Sequence, residues 1–139
     1  MFKRILIAYD GSEHSQRAAK LAGDLARTQS QAEIWLVCVM DPIPTHIGQP
    51  YIQEIITAQT QDGEEFLKKA REFIGENVTI HDNLLFGQPA ESILNLAAAN
   101  DCDLITMGTR GLSALQGLLL GSQVHKVISH SKCPVLAVK

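Results

Sequence analysis

Apolar residues in this chain come in two rhythms. Short unbroken runs, such as Ile5-Leu6-Ile7-Ala8 and Ile34 to Val39, alternate with longer stretches in which apolar positions recur every three or four residues. A short unbroken run predicts a strand covered on both faces, and the longer rhythm predicts an amphipathic helix. Phe2 to Ala8 is thus the first strand. Asp10-Gly11-Ser12 stops it, and either Ser12 or Asp10 suits the cap of a helix reaching about Thr28. That helix sets Ala18, Leu21, Ala22, Leu25 and Ala26 on one face and Arg17, Lys20, Asp24 and Arg27 on the other. Glu33 to Met40 is the second strand. Asp41 to Pro50, with Pro42, Pro44, Gly48 and Pro50, is a loop, and Tyr51 to Ile74 is a helix with Gly63 as a candidate interruption.

Asn77 to Phe86 is the third strand. It carries His81, Asp82 and Asn83, a mixture that suits a sheet edge. Gly87-Gln88-Pro89 turns the chain, with Pro89 at the first position of a helix whose buried face is Ile93, Leu94, Ala97 and Ala98. Asn100 is the candidate C-terminal left-handed residue. A fourth strand opens at Leu104, a helix follows from Ser122 with Val124, Val127 and Ile128 inward, and Pro134 to Val138 is a last strand. The regular alternation predicts an α/β fold: a single-domain doubly wound five-stranded parallel sheet with right-handed crossovers and helices on both faces. Placing the apolar strands centrally and the third at an edge gives the order 3-2-1-4-5. The switch point then falls between strands one and four, whose C-terminal ends carry Asp10 and Gly108.

Composition narrows the function classes. A length of 139 residues suits one domain over 1–139, and 45% apolar with 19% charged residues is the balance of a folded globular chain. A net charge of −3 gives no electrostatic reason to bind nucleic acid or an anionic membrane. No apolar run nears the roughly 20 residues of a membrane-spanning helix, and the opening MFKRILIAYD is too short in its apolar part for a signal peptide. The expected compartment is the cytoplasm. Cys38, Cys102 and Cys133 show no C-x-x-C spacing, and His14, His46, His81, His125 and His130 no ligand spacing on a helix, so neither a disulfide framework nor a protein-held metal is expected.

The chemistry concentrates in Leu104 to Gln123. After the fourth strand comes Gly108-x-x-Gly111-x9-Gly121-Ser122, a glycine loop leading to a helix N-terminus. Glycines let main-chain N–H groups approach an anion, and a helix start adds free donors and partial positive charge. The expected ligand group is phosphate, with Ser122 as the helix cap. Neither G-x-x-x-x-G-K-[ST] nor G-x-G-x-x-G occurs.

MGTRGLSALQGLLLGSQVHKVISHSKCPVLAVK resembles the C-terminal signature of the universal stress protein family, whose ATP-binding members carry G-x2-G-x9-G-[ST]. ILIAYDGSEHSQRAAKLA is similar to that family's opening strand, turn and helix. Val37 to Asp41 resembles its second-strand ending, and Gly87-Gln88-Pro89-Ala90 its turn before the third helix. Only Asp41 to Ile74 lacks a matching signature. The resemblance implies that Ala8, Tyr9 and Asp10 contact a nucleoside and that Val39 packs on adenine. It implies that Met107, Gly108, Arg110 and Gly111 follow the ribose and phosphates, while Gly121, Ser122 and Gln123 close on the outer phosphates. Gly117 stands where relatives often have a basic residue, and Gln123 where many have valine.

The implied ligand is ATP, with AMP and ADP as alternatives, together with Mg2+ or Mn2+ held by the phosphates. The resemblance also implies a homodimer through the short apolar edge Val135 to Val138. The first reading is a regulatory nucleotide-binding protein with no catalytic residue. Two others stand beside it: slow ATP hydrolysis or autophosphorylation, for which Asp10 is the only nearby base, and a nucleotide-free interaction module.

Overall fold

The structure is a computed structural model that describes residues 1–110 and 120–139. Its elements are β1 (Arg4–Ala8), α1 (Glu13–Thr28), β2 (Glu33–Met40), α2 (Tyr51–Ile74), β3 (Thr79–Phe86), α3 (Pro89–Ala99), β4 (Leu104–Gly108), α4 (Ser122–His130) and β5 (Val135–Val138). The five strands form one parallel sheet in the order β3-β2-β1-β4-β5. This is the expected doubly wound order, with the polar β3 at one edge.

Side-chain alternation along the strands builds two cores. Ile5, Ile7, Ile34, Leu36 and Leu104 face α1 and α2, where Ala19, Ala22, Ala70 and Ile74 meet them. Leu6, Val37, Ile105 and Met107 face α3 and α4, packing on Ile93, Ala97, Val124 and Val127. Strands buried on both sides need unbroken apolar runs, and this is why β1, β2 and β4 carry them.

Local details depart from the sequence expectations at several positions: Leu21, Ala98 and Ile128, expected on buried helix faces, are exposed, because each lies at the margin of its helix's apolar stripe. Phe2 and Lys3 precede the first strand, Asn77 and Val78 precede the third, and Pro134 precedes the last. Gly63 does not interrupt α2; it is buried, and a Cβ there would lie 2.3 Å from Leu84 Cδ1, so the helix passes too close to β3 for a side chain. The left-handed residue after α3 is Asp101, with φ 51°, while Asn100 has φ −109°. Asp is among the few side chains that tolerate this region. Lastly, Ser122 does not cap α4, as described below.

Candidate functional site

The helix following β1 and the helix following β4 leave the sheet toward opposite faces. Between them, at the C-terminal ends of β1, β2 and β4, lies a cavity of about 710 Å³. Ala8, Tyr9, Asp10, Val39, Met107, Gly108, Arg110, Gly121, Ser122 and Gln123 all line it. Gly111 and Gly117 lie outside the described residues. The cavity also takes in Ser12, Asp41 and Pro89, which the sequence reading did not place there. Each follows the end of a strand, so the strand-order argument already contained the signal. Phe66 and Ile93 reach the cavity from helix interiors and carry no local mark.

Three helices begin at this cavity, and their first turns differ. At α1, Ser12 Oγ accepts from Ser15 N at 3.2 Å, while Asp10 Oδ1 accepts from Ser12 N at 2.9 Å. Of the two candidate caps, then, Ser12 caps the helix and Asp10 closes the preceding turn around Gly11, whose φ of +86° favours glycine. At α3, the Ala90 amide donates to Gln123 Oε1 of α4 at 3.0 Å. At α4, the cap is Gly121, with φ −70° and ψ 159°, and among the described residues no side chain bonds to the first turn. A cap needs extended backbone, which Gly121 supplies, so Ser122 becomes the first helical residue instead. Gly121 O accepts from His125 N at 3.1 Å, beginning the helical ladder. The earlier amides of α4 therefore keep their donors and the positive end of the helix dipole beside the cavity.

Gly108 has a packing reason to be glycine beside the one the loop suggested. A Cβ there would lie 2.7 Å from His14 Cβ and 2.9 Å from Ser15 N. The first turn of α1 rests directly on the end of β4, and His14 Nδ1 lies 2.8 Å from Thr109 Oγ1 to fix that contact.

Tyr9 lines the cavity, but the residue is only 3% exposed, and its ring meets Phe66 at 6.4 Å and Phe73 at 6.5 Å between centroids. Burial is the main cause that raises its hydroxyl pKa. Burial, and then the carboxylates of Asp82 and Asp10, push the Cys38 thiol up to about 12. Neither group is an ionised nucleophile at neutral pH. Among the described residues the charges lining the cavity are Asp10, Asp41 and Arg110. The wall therefore has an apolar side, with Val39, Ile93 and Met107, and a donor-rich end at Arg110 and the start of α4.

The universal stress protein family model matches residues 1–139. The chain belongs to the universal stress protein family. A family member of Thermus aquaticus, encoded in the QAH/OAS sulfhydrylase 3′ region, is 42% identical over 140 residues, covering 100% of both chains. Among solved structures, hypothetical protein MJ0577 is 29% identical and matches with a TM-score of 0.87 over 100% of this chain and 96% of its own. A universal stress protein crystallised in complex with cAMP is 26% identical, with a TM-score of 0.70 over 99% of this chain and 97% of its own. Within the family's shared fold, the cavity sits where a doubly wound sheet ordinarily binds ligands.

Proposed function

We propose that this universal stress protein binds an adenine nucleotide, ATP with ADP and AMP as alternatives, and acts as a regulatory switch in the cytoplasm. The base lies against Val39 and Met107, and the phosphates meet Arg110 and the first turn of α4. The observation that carries this reading is the α4 start, which among the described residues has no side-chain cap and opens onto a cavity that also has apolar lining. A volume of about 710 Å³ falls within the range of small-molecule sites. The cAMP complex of a 26% identical family member supports an adenine-type ligand.

Binding without turnover is favoured because Asp10, the candidate base, is engaged with Ser12 N. Among the described residues no group of three or more His, Cys, Asp or Glu side chains converges, so a divalent cation would ride on phosphate oxygens and water. Among them, too, no helix is long and apolar enough to cross a membrane. At the sheet edge, β5 offers half-buried Val135, Leu136, Ala137 and Val138 along an unpaired side, which favours a homodimer.

Native mass spectrometry of the purified protein tests both parts at once. The expected species is a dimer that releases adenine nucleotide on denaturation. Isothermal titration of stripped protein with ATP is expected to give a dissociation constant well below about 1 mM. A nucleotide-free protein with no measurable ATP affinity would point to the interaction-module reading instead.

A further inference from the structure

Gln123 is the second residue of α4, yet its side chain reaches α3, where Oε1 accepts from the Ala90 amide at 3.0 Å. A main-chain N–H can only donate, so the atom facing Ala90 must be the carboxamide oxygen. The Nε2 end, which can only donate, is thereby turned away from α3. Among the described residues the Ala90 contact is this carboxamide's one hydrogen bond. Gln123 is half-buried and lines the cavity. The other side chains that α3 and α4 contribute there are Pro89, Ile93 and Val124, all apolar, and the exposed Ser122. An amide donor in such surroundings gains most from an acceptor supplied by a ligand.

The geometry points to Gln123 as a two-ended specificity residue: Oε1 fastens the start of α3 to α4, and Nε2 donates to a phosphate oxygen of the bound nucleotide. The phosphate end is favoured over the base because Gln123 directly follows Gly121 and Ser122. Among the described residues its own main-chain N–H has no side-chain cap either. Side-chain and main-chain donors of one residue thus converge on one anion, and the same carboxamide links that contact to the seating of α3.

This inference rests on the nucleotide reading above, and its test separates the two. Gln123→Glu keeps the acceptor for Ala90 N and removes the donor; Gln123→Leu removes both. ATP and adenosine are titrated in about 0.5 M KCl, where charges beyond roughly 4 Å are largely screened, and the ligand-free proteins are melted. Gln123→Glu is expected to melt with the wild type and bind ATP about tenfold more weakly or worse, with adenosine affinity within about twofold. Gln123→Leu is expected to melt about 3 °C lower and to lose ATP affinity by about tenfold as well. If the wild type binds ATP and either variant binds it equally well, this inference fails and the function stands. An equal loss of adenosine by Gln123→Glu would place the donor on the nucleoside and overturn the phosphate contact, and a drop in its melting temperature would overturn the cap. A wild type without adenine-nucleotide affinity would overturn both proposals.

Discussion

The starts of α1 and α4 face the same cavity from either side of the β1–β4 crevice, and they solve the same problem in opposite ways. At α1 the protein satisfies its own donors: Ser12 caps Ser15 N and Asp10 takes Ser12 N. At α4 the cap is a glycine, and among the described residues no side chain bonds to the first turn. A helix start must place its first N–H groups on something. Where the chain supplies the partner, the start is structural; where it withholds one beside a cavity, the start is available to an anion. The third helix start sharpens the contrast, because α3 is served by Gln123 from α4 itself. The open one lies where the spacing Gly108-x-x-Gly111-x9-Gly121 ends.

The largest way to break this comparison is to give α4 a cap of its own. The φ of −70° at Gly121 is open to any L residue, so Gly121→Asp can place a carboxylate on the first-turn amides. The ligand-free protein is expected to melt no lower, gaining up to about 1 kcal/mol from the acid at the helix start. ATP affinity is expected to fall about a hundredfold, about 2.7 kcal/mol, in isothermal titration. Unchanged affinity would remove α4 from the site.

A smaller effect probes the contact that holds the two starts together. Gly108→Ala puts a methyl group against the Ser15 amide and against His14 Cβ, whose position the helix backbone fixes. The expected cost is about 2 kcal/mol of overpacking, read as a melting temperature about 6 °C lower. If Gly108 were a glycine only to admit phosphate, the ligand-free variant would melt with the wild type, and only its ATP affinity would drop.

These positions also mark how far the sequence was legible. Strand order followed from one physical asymmetry: His81, Asp82 and Asn83 make β3 unsuitable for a site buried on both faces. The crevice followed from the order. The family resemblance marks Tyr9 only as a nucleoside contact, whereas period-two alternation aligns it with Ile5 and Ile7, toward α1 and α2, and it packs in that core. Gly108 was ambiguous in principle, because a glycine that admits a ligand and one that admits a neighbouring helix look alike in one dimension. The Gln123–Ala90 bond joins residues 33 apart in sequence, and no local pattern announces it. Caps are similarly uncertain by one residue: Ser12 and Ser122 both precede or open a helix after a glycine, and only backbone geometry separates them.

That last pair gives the smallest and most discriminating measurement. Ser12→Ala removes a hydroxyl that accepts from Ser15 N at 3.2 Å, and the expected loss is about 1 kcal/mol in urea denaturation. Ser122→Ala removes no cap bond and substitutes a better helix former at an exposed position. Its stability is expected to stay within about 0.5 kcal/mol of the wild type. Two serines at two helix starts on one cavity would thus differ in the folded protein while looking equivalent in the sequence. Equal losses for the two variants would mean that Ser122 caps α4 after all. In that case the contrast between a self-satisfied start and an open one disappears, and the phosphate-binding argument loses its physical basis.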